Sequence, residues 1–378
     1  MFYNFRNRFG VLLTVFIAAI SLFASACSSS DSSSSTASSS TASSSETSSS
    51  GESSAEKFSI VVTTNILGDV VANTVGDLFD VETIMPSGAD PHVFQASAQQ
   101  VNQMMEADLL VVNGANFEEG LLDVIEAAES DGVMIFEAID SVEIIESDGH
   151  DDHDDHDDHD EEGHDDHDDH DEEGHDDHDE EGHDDHDDHD EEGHEGHDHG
   201  GIDPHFFTDP ARMADVVEAL TAYLVQNFPT IDQDALLASS NAYLGELNSL
   251  DAEVEEMLSS IPEESRGLIT NHSVFAYFAD RYDFEVLGSI IPSSSTLDSA
   301  SAKDITDLVS VIRDENVSAI FADAASSDTL AQVLAEEAGD IQVVSLFTES
   351  LGEAGSMGAT YLDMVRTNAE LIAEGLSN

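Results

Sequence analysis

The sequence predicts an α/β fold: two lobes, each with a mainly parallel sheet flanked by helices, bridged by one long rigid helix. Three observations predict it. Short apolar, β-branched runs alternate with helical patterns before residue 148, and they alternate again after residue 267. Between the two series, Asp232 to Ser260 carries leucines and alanines at three- and four-residue spacing, the longest helical pattern in the chain. Such a helix spans roughly 40 Å at 1.5 Å per residue, enough for a strut between lobes.

In chain order, 57–64 reads as a buried strand and 66–75 as a helix ending at Gly76. A second strand over 79–85 is closed by Pro86-Ser87-Gly88. Ser97 caps a helix running to 107, followed by strand 109–114, helix 121–130 and strand 133–136. Asp209 caps a helix whose first position is Pro210, reaching about residue 227. The second series reads strand 267–270, helix 274–282, strand 284–287, helix 301–316, strand 317–322, helix 329–338, strand 342–346 and closing helix 359–376. The implied division is a leader over 1–27, a tether over 28–56, a first lobe over 57–231 containing a loop at 148–200, the linking helix over 232–261, and a second lobe over 262–378.

The leader carries Arg6 and Arg8, then a 13-residue apolar run from Val11 to Phe23, too short to span a bilayer. Ala24-Ser25-Ala26 precedes Cys27, the single cysteine. This is a secretory signal, and it resembles a lipoprotein signal in which Cys27 becomes the lipidated terminus, with Ala24 in place of the usual Leu. With Cys27 so placed, the folded part has neither disulfide nor thiolate ligand. The Ser, Thr and Ala of 28–54 cannot bury a core and suit a flexible tether.

Net charge is −74. Residues 148–199 hold 31 acids and no base, yet 52 acids against nine bases remain outside them. An excess this general reads as adaptation to a salty habitat and argues against nucleic acid as a partner.

Histidine placement points to function. Of 18 histidines, fifteen lie in the acidic tract: His150, His153, His156, His159, His164, His167, His170, His175, His178, His183, His186, His189, His194, His197 and His199. The unit Gly-His-Asp-Asp-His-Asp-Asp-His-Asp-Glu-Glu recurs there, and the tract lacks the apolar residues a core needs. It is expected to be a disordered, weaker metal collector. The other three stand alone: His92 in Asp90-Pro91-His92-Val93-Phe94, His205 in Asp203-Pro204-His205-Phe206-Phe207, and His272 after strand 267–270. A histidine at a strand end is more often structural, but three of them, two in one repeated setting, favour a transition-metal site. A zinc site takes three or four ligands. Glu349, Asp323 or a water is open as the fourth. Asp90 and Asp203 are candidates to accept the second ring N–H of His92 and His205. Phe206, Phe207 and Phe275 are expected to pack beneath the site.

Five segments together resemble a known family: Gly88 to Phe94, Asn113 to Glu118, Asp203 to Pro210, His272 to Phe278 and Ser345 to Leu351. They are similar to the solute-binding lipoproteins of zinc and manganese ABC importers, the cluster A-I family, and within it to the ZnuA-like zinc-uptake branch. The resemblance implies a TroA-like, helical-backbone metal receptor with metal held between lobes by His92, His205, His272 and Glu349. It implies no enzymatic activity, and as partners an ABC permease with its ATPase. The product would be a monomer, lipid-anchored through Cys27 on the outer face of the cytoplasmic membrane. His272 favours Zn2+ over Mn2+, since the family's manganese-type members carry a carboxylate there; Glu349 stands where Asp is usual. The alternatives are a receptor for manganese or another divalent metal, and a metal-binding surface adhesin. A metalloenzyme would also suit three histidines, but no His-Glu-x-x-His pattern supplies a general base.

Overall fold

A computed structural model describes residues 57–146, 201–339 and 341–377. The signal segment, Cys27, the tether and the fifteen tract histidines therefore lie outside the described residues. Among the described residues, no helix is long and apolar enough to cross a membrane.

The first series forms β1 (Ser59–Val62), α1 (Asn65–Val75), β2 (Asp80–Thr83), α2 (Ala98–Met105), β3 (Leu109–Val112), α3 (Leu122–Ser130) and β4 (Ile135–Glu137). The four strands make a parallel sheet in the order β2-β1-β3-β4. The central strands β1 and β3 are almost wholly buried. That burial is why Ile60 to Val62 and Leu109 to Val112 are continuous apolar runs rather than alternating ones. Local caps begin the helices: Thr64 accepts from Leu67 N–H, and Ser97 with Gln100 forms a capping box.

After residue 200 come α4 (Pro210–Asn227) and α5 (Gln233–Leu258). Asp209 and Asp232 cap them through the amides of Ala211 and Ala235. The second series is β5 (Gly267–His272), α6 (Ala276–Tyr282), β6 (Glu285–Ile291), α7 (Ala302–Asp314), β7 (Ala319–Asp323), α8 (Thr329–Ala338), β8 (Gln342–Leu346) and α9 (Tyr361–Leu376). Its sheet, β6-β5-β7-β8, is again parallel and repeats the strand order of the first. Two strands outrun the sequence expectation. The segment Gly288-Ser289-Ile290-Ile291 breaks its apolar run, yet pairing with β5 holds it extended as far as the His272–Ile291 pair. His272 is thus the last residue of a strand.

The 26 residues of α5 bury Leu236, Ser240, Tyr243, Leu247, Leu250, Val254 and Leu258 along one stripe. A single apolar cluster joins Ile60 and Val70 of the first lobe, Leu247 and Val254 of α5, and Phe321, Tyr361 and Ile372 of the second. Smaller clusters lie on the other side of each sheet, around Leu110 and Met104 and around Ile269 and Ile320. Because the lobes share one close-packed core, prying them fully apart would expose apolar surface at roughly 25 cal/mol per Å². Arginines mark the same seam. Arg212 of α4 reaches Asp209 at 2.6 Å and Asp280 of α6 at 2.9 Å, and lies over the Tyr277 ring. Arg366 of α9 meets Glu253 of α5 at 3.2 Å.

In a parallel sheet of this order the strand order reverses between its two central strands, so a crevice opens beyond their carboxyl ends. Each sheet has such a point, and the isolated histidines gather there.

Candidate metal centre

The two Asp-Pro-His segments adopt the same turn. Asp90 Oδ1 accepts the backbone N–H of His92 at 2.9 Å, and Asp203 Oδ1 accepts that of His205 at 2.8 Å. An Asx turn with proline inside it sets the histidine backbone before the ring is placed. The rings then differ. His205 Nδ1 points to Asp203 Oδ1 at 2.7 Å, as the sequence suggested. His92 Nδ1 instead meets Glu119 Oε1 at 3.0 Å. Asp90 is therefore not the ring partner of His92: its Oδ1 is held by the amide and its Oδ2 accepts the Thr296 hydroxyl at 2.7 Å. Glu119 was not legible. It lies 27 residues from His92, and nothing local separates it from Glu118, which turns inward to accept Thr63 Oγ1 at 2.5 Å and the Asn113 N–H at 2.7 Å.

Glu349 follows β8 in a buried loop that belongs to the second sheet but is tied to the first lobe. Asn65, which opens α1, donates Nδ2–H to Ser350 Oγ at 2.7 Å and accepts Leu351 N–H at 2.7 Å. Gly88 N–H also reaches Ser350 Oγ, at 2.8 Å. Glu349 Oε1 then accepts from His92 Nε2 at 2.8 Å, His272 Nε2 at 2.9 Å and His205 Nε2 at 3.3 Å. One potential ligand atom from each of the four residues lies within 4.8 Å of the other three. All four side chains are buried, His205 and His272 completely.

Asp323 ends β7 but does not join them. Its Oδ1 accepts the Thr348 hydroxyl at 2.7 Å and the Ala325 N–H at 3.2 Å, so it braces the loop that carries Glu349. The aromatic wall also departs from expectation. Phe117 stands edge-on to His92 at 5.2 Å and to His205 at 5.4 Å between ring centroids. Phe207 lies 5.8 Å from His205, and Phe206 packs on Phe207 at 5.9 Å. Phe275 packs on Phe278 instead, 5.5 Å away, within the shared core.

Burial opposes charge at all three of these groups, but the partners prevail. Hydrogen bonds to Glu119 and Glu349, with the negative charge of Glu349 and Asp90, lift His92 to about 10. The charge and hydrogen bond of Asp203, with those of Glu349, raise His205. The electrostatic pull of the neighbouring His272 and hydrogen bonds from the three imidazoles hold the Glu349 carboxyl well below its ordinary range. A buried, ionised carboxylate among imidazole nitrogens has the donor set of a divalent-metal site, and three nitrogens with one oxygen suit a four-coordinate ion such as zinc.

Ring-nitrogen partners of this kind orient the ligand and raise its basicity, so their loss costs metal affinity. Glu119→Gln and Asp203→Asn should each weaken binding at the cleft about 10- to 100-fold while leaving its stoichiometry at one ion. Calorimetric titration checks both; an unchanged affinity in either variant removes that carboxylate from the site.

Residues 60–375 match the protein family described as ZnuA, zinc-uptake complex component A, periplasmic. The manganese-binding lipoprotein MntA of Halalkalibacterium halodurans is 23% identical over 323 residues, covering 85% of this chain and 89% of that one. The manganese ABC transporter substrate-binding lipoprotein PsaA of Streptococcus anginosus is 23% identical over 376 residues, covering 98% and 99%. Among solved structures, the periplasmic zinc-binding protein TroA of Treponema pallidum superposes with a TM-score of 0.65 at 23% identity, covering 85% of this chain and 99% of that one.

Proposed function

The chain belongs to the ZnuA family of periplasmic zinc-uptake components, and from that membership we propose that it is a zinc receptor gripping its ion through His92, His205, His272 and Glu349. The family's role is that of the substrate-binding receptor of an ABC metal importer, which is extracytoplasmic and not an enzyme. A membrane permease and its ATPase are the partners that role implies.

The observation carrying the reading is the convergence of three imidazole Nε2 atoms on one buried carboxylate oxygen. Zinc is preferred because imidazole-rich sites suit it, whereas manganese favours oxygen donors. Capture then means that Zn2+ enters between the lobes, replaces the Nε2 protons and takes Glu349 as its carboxylate ligand. Delivery is release of that ion to the permease when the lobes shift. A manganese receptor is the second reading, and the names of the relatives MntA and PsaA favour it. Titration of both ions into one preparation separates the two: zinc binding much tighter than manganese supports the first, and the reverse order selects the second.

The remaining assignments belong to the same reading. Cys27 carries the lipid anchor, the protein acts as a monomer, and the linking helix over 232–261 separates the lobes 57–231 and 262–378. The tract 148–200 collects metal at lower affinity, because its acidic, apolar-poor sequence offers no core to hold its ligands in place before an ion arrives. Deleting residues 150–199 should therefore leave one tight site with its affinity unchanged while removing the additional, weaker zinc equivalents. Loss of the tight site in that deletion would reassign the metal to the tract.

A further inference from the structure

The two rims of the interlobe cleft are joined very differently. On the Glu349 side the contact is extensive. Asn65 holds Ser350 and Leu351, and Gly88 N–H meets both Ser350 Oγ at 2.8 Å and the Leu351 carbonyl at 3.3 Å. Tyr361 N–H adds a bond to Asp69 Oδ2 at 2.9 Å.

On the His92 side, among the described residues, two side-chain hydroxyls cross. Both come from the loop between β6 and α7. Its root is fixed beside His272, where Ser273 N–H donates to the Ser293 carbonyl at 2.9 Å. Its shape is fixed internally, by Ser295 N–H to Ser293 Oγ and Leu297 N–H to Ser295 Oγ, both at 3.1 Å. From this frame the Ser295 hydroxyl donates to Glu119 Oε1, the same oxygen that faces His92 Nδ1. The neighbouring Thr296 hydroxyl donates to Asp90 Oδ2 at 2.7 Å, and the other oxygen of that carboxylate holds the His92 amide. The loop tip beyond them, at Leu297 and Asp298, is exposed, and the cleft opens to solvent here between His92, Asn116, Glu119 and Leu297.

We propose that Ser295 and Thr296 form a cross-lobe latch that governs how long the ion is retained. This rests on the metal-receptor reading above. Each hydroxyl reaches, from the second lobe, one of the two carboxylates that set His92, one for its ring and one for its backbone. When the latch is closed, His92 is held in place by both lobes. When the rims part here, Glu119 and Asp90 lose those donors together, and His92 is the ligand freed first. The opposite rim stays joined, so the cleft opens on one side and Glu349 remains with His205 and His272. Ser295 and Thr296 are positioning residues: neither contacts the ion. Entry precedes latching and exit requires unlatching, so the latch acts on release rather than capture.

The test is stopped-flow zinc release from the intact chain into excess chelator, following the slow phase of the tight site, beside the association rate. Ser295→Ala/Thr296→Val should release zinc about tenfold faster, in line with the cost of losing groups that orient a ligand, with association within about twofold of the unsubstituted chain. The exchange Ser295→Thr/Thr296→Ser keeps both hydroxyls and should restore slow release. Unchanged release in the first variant, an equal slowing of association, or failure of the exchange to restore retention overturns the latch. A different result tests the premise: absence of any slow phase in the unsubstituted chain would overturn the metal-receptor reading and the latch with it.

Discussion

Replacing His92 and His272 together by alanine removes tight zinc binding, with an expected loss of at least about a thousandfold, roughly 4 kcal/mol at 1.4 kcal/mol per decade. The reason is partly the missing ligands and partly what remains. Glu349 loses two of its three donors, those at 2.8 and 2.9 Å, and keeps only His205 at 3.3 Å. Its buried carboxylate would then be ionised without adequate partners, which burial disfavours, so the group takes up a proton and stops being a ligand. Each lobe loses one histidine, so neither could rebuild the site alone. Calorimetry on the protein lacking residues 150–199 gives the readout without interference from the tract. A tight site surviving in the double variant would show that the cleft is not where the ion sits. Circular dichroism checks that the variant is folded, since the shared apolar core does not include these rings.

The second large effect is a release of about two protons for every ion bound near neutral pH. The hydrogen-bond network requires it. His92 faces carboxylate oxygens on both ring nitrogens, Glu119 at 3.0 Å and Glu349 at 2.8 Å. His205 does the same with Asp203 at 2.7 Å and Glu349 at 3.3 Å. Carboxylates only accept, so each of these rings carries both its protons in the metal-free protein. Both groups are raised, His92 to about 10, which favours the doubly protonated rings. An ion can take Nε2 only after its proton leaves. His272 is left out of this count: its Nδ1 has no hydrogen-bond partner among the described residues.

A raised pKa means that protons compete with metal up to that pKa, so affinity falls as pH is lowered. Two displaced protons give a slope of about two decades per pH unit around neutrality. Above about 10 the His92 proton is already gone and its share of the slope disappears. Titrations in buffers of different ionisation enthalpy measure the proton count. A count near zero would mean that the rings bind neutral, and that the carboxylate contacts reflect a different protonation pattern.

Much of this protein could be read along the chain because its signals are local. Asp209-Pro210 starts a helix whatever it later packs against, and Ser97 with Gln100 closes its capping box within one turn. The central strands announced themselves because both faces of a parallel sheet are covered, which leaves uninterrupted apolar runs. The three isolated histidines stood out because a chain that confines imidazole to a tract and three points has placed those three for a purpose. The Asx turns that seat His92 and His205 span two residues, so their repetition was visible as well.

What the sequence by itself determined was thus the alternation of elements, the long helix, the two repeated turns and the identity of the three histidines. Only the tertiary structure decided which acid meets which ring. It chose Glu119 over Asp90 for His92, and Glu349 over Asp323 as the carboxylate among the imidazoles. It put Phe117 against the site and Phe275 in the core, and it brought Ser295 to Glu119 across 176 residues. The physical reason is one of range. Turns, caps and strand patterns are satisfied by neighbours a few residues away and leave a periodic trace. A carboxylate chosen from dozens to complete a ring's hydrogen bonds is selected by where two sheets place their loops, and no periodicity along the chain records that choice.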